Sequence, residues 1–118
     1  LALAARHEVV LVEGAGGLMV PLRDDLLTID YVATRHMPLI LVTTSKLGGI
    51  NHALLSIEAC KTHNVDLRIV VFNRLPGDED VMADDSLSEI SKFTARAFPE
   101  AKVIDFRGQE SLAGMKLT

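Results

Sequence analysis

The chain has 118 residues, which is enough for one domain with a hydrophobic core and too few for two. Its residues are 48% hydrophobic but only 4% aromatic, so Leu, Val, Ile and Ala must build the core, which favours α/β packing over a β-sandwich. A net charge of −4 without a basic run argues against nucleic-acid binding. The single cysteine, Cys60, excludes an internal disulfide and a cysteine-based metal site. No apolar run is long enough to span a membrane, so we expect a cytoplasmic protein without a membrane partner.

The first predicted strand runs into a cluster of glycines. Residues 9–12 are all apolar and lack polar alternation, which predicts a strand buried on both faces, as in a parallel sheet. The strand ends at Glu13, and Gly14, Ala15, Gly16 and Gly17 follow. Ligands bind at the carboxyl ends of strands in open α/β sheets, so Glu13 is a candidate magnesium ligand beside a backbone that a ligand can approach closely. The alternative is a tight loop with a solvent-facing glutamate, which explains a lone carboxylate at this place less well.

A short helix and a second strand come next. Thr28 is a candidate N-cap for a helix that ends near His36, and the apolar run 39–44 predicts another buried strand. Strand, loop, helix and strand in this order form a βαβ unit, which favours parallel pairing and a right-handed crossover.

The same alternation continues to the end of the chain. Residues 45–52 open a helix that runs to about residue 63, with Cys60 on its apolar face as a buried structural thiol and Asn64 as a left-handed C-cap. A third strand over 67–72 ends at Asn73.

An acidic loop over 75–85 separates this strand from a last helix, for which Ser86 and Glu89 form a candidate capping box. That helix reaches about residue 98, residues 103–104 are a weak fourth strand, and a short helix can begin at residue 111. The whole pattern predicts an α/β protein with a three-layer, doubly wound and mostly parallel sheet.

Several features indicate a piece of a larger protein. No phosphate-binding stretch of the form G-x-x-x-x-G-K-[ST] occurs, and Lys46 precedes the glycines Gly48 and Gly49 instead of following them. The chain opens at Leu1 rather than at a methionine, and three strong strands are fewer than a doubly wound sheet normally has. We therefore expect residues 1–118 to be the carboxy-terminal part of a single α/β domain.

Two strings together resemble dethiobiotin synthetase, the ATP-dependent carboxylase-cyclase of biotin biosynthesis. They are VEGAGGLMVPL at 12–22 and KLGGINHALL at 46–55, and the match extends from about residue 11 to residue 73. The resemblance implies a P-loop NTPase-type fold and a homodimeric ligase that uses Mg²⁺ and ATP. Its substrates would be 7,8-diaminopelargonate and CO2.

The resemblance also implies roles for individual residues. Glu13 would hold magnesium at the triphosphate, and Gly14, Ala15, Gly16 and Gly17 would lie beside the γ-phosphate and the diamine, with Glu13, Gly16 and Gly17 at the reacting groups. The substrate carboxylate would be received across the dimer interface by Lys46, Leu47, Gly48, Gly49, Ile50 and Asn51. Asn73 would bind the edge of the adenine. The family's phosphate loop and upstream lysines are not in the chain, so we expect these residues alone to be inactive.

Two other interpretations stay open. One is a non-catalytic domain of the same ancestry that serves dimerisation or ligand sensing. The other is a fragment of a cobyric-acid-type amidoligase, which shares the Glu-Gly turn but is disfavoured by the string at 46–52.

Overall fold

A parallel sheet of three strands forms the centre of the fold. The computed structural model describes residues 2–108. In chain order the elements are β1 (Pro21–Arg23), β2 (Leu26–Leu27), α1 (Thr28–Thr34), β3 (Leu39–Thr44), α2 (Gly49–Thr62), β4 (Leu67–Asn73), α3 (Asp80–Ala97) and β5 (Lys102–Phe106). The sheet has the order β3-β4-β5 with parallel pairing throughout, and β1 and β2 form a separate antiparallel pair. The α/β class predicted from the sequence is confirmed.

The hydrophobic core lies between this sheet and the helices. Its fully buried side chains come from all three helices and from the central strand β4, and they are Ile29, Ile57, Cys60, Val70, Phe72 and Ile90. The helices α2 and α3 also contact each other. The predicted boundaries of β3, α2 and β4 are confirmed, and Asn64 has the left-handed φ of 55° expected of its place after α2.

The predicted strand over residues 9–12 is wrong for this structure. These residues form no strand, and Val9 and Leu11 are 77% and 84% exposed. An apolar run is buried as a strand only where neighbouring strands supply a hydrogen-bonding ladder and helices cover both faces. The strands described within residues 2–108 pair without this run, and three of its four residues are exposed.

The N-cap of the first helix lies one residue before the predicted N-cap, Thr28. Leu27 is the N-cap, and its backbone N–H donates to Asp30 Oδ2 at 3.1 Å. The Thr28 hydroxyl instead donates to the carbonyl of Val20 at 3.0 Å. Thr28 therefore ties the helix to the preceding hairpin, which the sequence analysis did not predict.

The last helix begins earlier than predicted as well. The helix α3 includes residues 80–85, which were expected to form an acidic loop, and Ser86 lies inside it with its hydroxyl donating to the carbonyl of Met82. The predicted capping box is therefore wrong. Asp80 lies in the first turn, where a negative charge suits the helix dipole, and Asp84 is paired with Arg74, so the acidic residues do not prevent helix formation here. The predicted strand at 103–104 is confirmed as part of β5, and the helix expected from residue 111 lies outside the described residues.

None of the helices described between residues 2 and 108 has the length and apolar character needed to cross a membrane.

Cys60 is a buried structural thiol, as predicted. Its side chain is fully buried in α2, and this burial raises the pKa of the thiol from 9.0 to about 11. Because the thiolate is the reactive form, the folded protein keeps Cys60 unreactive at neutral pH.

We predict that the Cys60 thiol makes the free energy of unfolding fall between pH 9 and pH 11. Below pH 9 the thiol is protonated in both states and its contribution is fully present. Above pH 9 the unfolded thiol ionises while the folded one keeps its proton, which removes about 2–3 kcal/mol by pH 11. Urea denaturation across this pH range should give a smaller decline for Cys60→Ala than for the native protein. The same pH dependence in both proteins would contradict the prediction.

Candidate functional site

Four of the five residues 13–17, here called the glycine loop, line a cavity of about 590 Å³ next to β3. Glu13, Gly14, Gly16 and Gly17 contribute to one wall, Leu18 and Leu22 follow them, and β3 contributes residues 39–42. Ala15 is not among the lining residues. The Glu13 carboxylate is exposed and forms no ion pair with any residue in the described part of the chain.

The conformation of the glycine loop needs glycine at Gly16. Gly16 has a φ of 91°, and a Cβ there would lie 2.9 Å from Val20 Cγ2, so only glycine suits this position. Beyond the loop, the N–H of Ile29 donates to the carbonyl of Leu18 at 2.8 Å. The loop is thus attached to the start of α1, and this attachment keeps Glu13 at the cavity.

Residues 46–51, here called the lysine loop, line a second cavity of about 840 Å³. All six predicted substrate-binding residues take part in this lining. The opposite walls come from α2 and α3 and are mainly apolar, with Leu54, Leu55, Met82 and Phe93 among them. The six residues of the lysine loop therefore line one cavity, and their role in substrate binding stays a prediction.

At the end of the lysine loop, the first residue of α2 lies very close to the backbone of β3. Gly48 is the N-cap of α2 with a φ of 86°, and the N–H of Gly49 donates to the carbonyl of Lys46 at 2.8 Å. A Cβ on Gly49 would lie 2.2 Å from the carbonyl oxygen of Thr44, so the turn from β3 into α2 needs glycine at this position. The positive end of the α2 dipole and the Lys46 ammonium group, which has no ion pair within residues 2–108, make this end of the cavity attractive to an anion.

A third, smaller cavity of about 200 Å³ lies between the other two. Leu41 and Val42 of β3 line both this cavity and the glycine-loop cavity. Lys46 and Gly49 line both this cavity and the lysine-loop cavity. The two sequence motifs therefore lie on either side of the junction between β3 and α2.

Asn73 lies apart from these three cavities. It is the last residue of β4 and is paired with Thr44 of β3 and Phe106 of β5 in the register of the sheet. Its carbonyl accepts a hydrogen bond from the N–H of Ser45 at 3.3 Å. Its side-chain amide forms no hydrogen bond with other residues of the described range 2–108 and is only partly buried, so it can bind a ligand.

A buried arginine next to Asn73 was missed by the sequence analysis. The side chain of Arg74 is only 8% exposed, and its guanidinium binds Asp105 with two hydrogen bonds, Nε to Oδ1 at 2.7 Å and Nη2 to Oδ2 at 3.1 Å. Nη2 also donates to Asp84 at 2.6 Å, and Nη1 lies 3.8 Å from Asp80 without a hydrogen bond. The hydrogen bonds that Arg74 donates to Asp105 lower the pKa of the Asp105 carboxyl and raise the pKa of Arg74. The signal in the sequence was an arginine and an aspartate that each lie at the end of a predicted strand.

The carboxylate at the glycine-loop cavity is compatible with a magnesium ion that is shared with a ligand. It is not compatible with a metal ion bound by protein side chains alone. Among residues 2–108 no three His, Cys, Asp or Glu side chains lie close enough together to bind a metal ion. Magnesium in nucleotide enzymes is bound by one or two carboxylates and by the phosphates of the substrate. A single exposed carboxylate at the cavity, that of Glu13, fits this second arrangement.

A family model described as an AAA domain matches residues 1–104. The chain belongs to this family. Among curated relatives, the ATP-dependent dethiobiotin synthetase BioD 2 of Haemophilus ducreyi is 37% identical over 102 residues, which are 86% of this chain and 48% of that protein. The BioD 2 protein of Haemophilus influenzae is 51% identical over 74 residues, 63% of this chain and 39% of that protein. BioD of Chlorobaculum tepidum is 43% identical over 100 residues, 84% of this chain and 42% of that protein.

These findings confirm the resemblance to dethiobiotin synthetases that the two strings indicated. They also set its extent, because the chain spans less than half the length of these curated relatives. The matched region includes the glycine loop, the lysine loop and Asn73 in the family model. The roles of the single residues stay predictions.

We predict that Gly49→Ala destabilises the protein, whereas Gly17→Ala does not. The added methyl group at position 49 meets the carbonyl of Thr44, and the necessary backbone shift should lower the free energy of unfolding by about 1–3 kcal/mol. At position 17 nothing lies within 4 Å of the added Cβ, so a change within about 0.5 kcal/mol is expected. Urea denaturation of both variants measures the difference. Equal stability of the two variants would contradict the close approach at Gly49.

Proposed function

We propose that this chain is the magnesium-, adenine- and carboxylate-binding part of an ATP-dependent dethiobiotin synthetase. The observation that carries the proposal is the lysine loop, whose six residues surround one cavity at a helix start that requires glycine. The relatives named dethiobiotin synthetase match this chain over most of its length. Since they are about twice as long as the chain, the triphosphate cradle would come from residues beyond it.

The reaction would join CO2 to 7,8-diaminopelargonate in three steps. One amine attacks CO2 and loses a proton to give a carbamate. A carbamate oxygen then attacks the γ-phosphorus of ATP, and ADP leaves. The second amine attacks the carbonyl carbon of the resulting mixed anhydride, phosphate leaves, and the ureido ring closes. Such phosphoryl transfer depends mainly on positioning and on the neutralisation of charge.

In this proposal Glu13 and the glycine loop act at the phosphates. Glu13 would be the protein ligand of magnesium, with phosphate oxygens completing the coordination, and the metal would neutralise the negative charge of the triphosphate. Gly14, Gly16 and Gly17 leave the backbone of the cavity wall open to close approach by the γ-phosphate and the diamine. Ala15 does not line this cavity and would act through the backbone of the loop.

The lysine loop and Asn73 would each bind a group that does not react. These groups are the carboxylate of 7,8-diaminopelargonate and the adenine of ATP. The carboxylate of 7,8-diaminopelargonate suits the α2 start, where the helix dipole, Lys46 and the amide of Asn51 supply positive charge and donors. The free amide of Asn73 can donate to one adenine atom and accept from another, which would distinguish adenine from guanine.

We also propose that the enzyme is a cytoplasmic homodimer. The lysine-loop cavity is bordered by exposed apolar side chains, with Leu47 95% exposed and Leu55 and Met82 exposed as well. Exposed apolar side chains around an open cavity are typical of surfaces that are covered in an assembly. A second copy on this surface would bury them and close the cavity around the substrate carboxylate.

The first experiment measures dethiobiotin formation from 7,8-diaminopelargonate, bicarbonate and MgATP by the full-length protein that contains this chain. We predict that Glu13→Gln lowers kcat about 100-fold or more, because the amide keeps the shape of the side chain but not its charge. Glu8→Gln is the matched control, since Glu8 is exposed five residues earlier and lines none of the three cavities. Turnover that survives Glu13→Gln would remove the metal role, and a folded full-length protein without turnover would favour the non-catalytic alternative.

A second prediction concerns the lysine loop. Asn51→Ala should raise KM for 7,8-diaminopelargonate about 10-fold or more and leave KM for ATP unchanged, because one hydrogen bond to a charged carboxylate is lost. Asn51→Asp should raise it further, since a second carboxylate repels the substrate. Initial-rate kinetics with each substrate varied in turn separates the two constants. An increase confined to KM for ATP would contradict the assignment of this loop.

A further inference from the structure

Ser45 connects the lysine loop, the proposed site of the substrate carboxylate, to the turn at residues 73–78, which carries the proposed adenine-binding residue. It lies between β3 and the lysine loop and directly precedes Lys46. Its hydroxyl accepts a hydrogen bond from the N–H of Leu75 at 3.0 Å and donates one to Asp78 Oδ2. Its backbone N–H donates to the carbonyl of Asn73. All three contacts reach residues 73–78, the turn that carries the proposed adenine-binding amide.

This turn is held firmly on its other side. The N–H of Arg74 donates to the carbonyl of Phe106 at 3.0 Å, and the buried guanidinium binds Asp105 of β5 and Asp84 of α3. A movement of residues 73–78 away from β5 would therefore break the hydrogen bonds of a buried arginine. The hydroxyl of Ser45 is the side-chain link by which the turn reaches the lysine loop.

We infer that Ser45 is a positioning residue that couples nucleotide binding at Asn73 to substrate binding at the lysine loop. The inference rests on the proposed function, because it assigns one ligand to each loop. A nucleotide held by Asn73 favours one position of the turn, and the hydrogen bonds of Ser45 hold the start of the lysine loop to that position. Binding of either ligand then favours the arrangement to which the other binds, and the coupling is equal in both directions.

The test is a binding measurement rather than a rate. Isothermal titration calorimetry on the full-length protein gives the Kd of 7,8-diaminopelargonate with and without saturating magnesium β,γ-imido-ATP. We predict that the nucleotide analogue tightens binding roughly five- to tenfold in the native protein and less than about twofold in Ser45→Ala. Ser45→Thr keeps a hydroxyl at this position and should retain the native coupling. Ser88→Ala removes an exposed hydroxyl of α3 and is the control for loss of a serine elsewhere.

The outcomes separate this inference from the proposed function. If Asn73→Ala weakens binding of the analogue and Asn51→Ala weakens binding of the carboxylate substrate, the two assignments hold. Native coupling in Ser45→Ala, or no coupling in the native protein, would then overturn the role of Ser45 alone. If neither asparagine variant changes its own ligand, the proposed function fails. Asp78→Ala removes only the acceptor of the Ser45 hydroxyl and should also reduce the coupling, which serves if Ser45→Ala does not fold.

Discussion

The parallel register of β3, β4 and β5 places the last residues of the three strands, Thr44, Asn73 and Phe106, side by side. Each loop that leaves this edge therefore begins within hydrogen-bonding distance of its neighbour. The contacts of Ser45 with residues 73–78 and of Arg74 with β5 are direct consequences of this alignment. Ligands bind at such an edge in open α/β sheets because side chains from several loops converge there.

Arg74 is the residue at this edge whose burial requires the most compensation by other side chains. A guanidinium that is only 8% exposed loses much of its hydration, and its ion pairs stabilise it only where their geometry is good. The two parallel hydrogen bonds to Asp105 match the fork of the guanidinium, and Asp84 supplies a further charged acceptor from α3. The same contacts neutralise Asp84 and so allow the acidic start of α3 to be helical. One side chain thus joins β4, β5 and α3 behind the proposed adenine site.

The sequence predicted those elements whose signals are local. The strands β3 and β4 and the helix α2 follow from apolar runs, helical spacing and a left-handed Asn64, and the lysine loop follows from its own residues. The run at 9–12 was predicted wrongly because burial of a strand depends on partners that its own residues do not specify. The early start of α3 was missed because its acidic residues were interpreted as a solvated loop, and the pairing of Asp84 with Arg74 is visible only in the structure. The pair β1 and β2 is too short to leave a periodic pattern, and the contacts of Ser45 appear only once the strands are aligned.

The glycine loop lies at a cavity even though the strand predicted to precede it is absent. Its residues line the cavity beside β3 although residues 9–12 form no strand. The loop is held from its carboxyl side instead, by hydrogen bonds from the backbone of Thr28 and Ile29 to the carbonyls of Val20 and Leu18. The Glu13 carboxylate is exposed and lines the same cavity as Thr28 and Tyr31 of α1. A carboxylate held in this way suits a metal whose remaining ligands are phosphates and water, because the ligand itself can complete the arrangement.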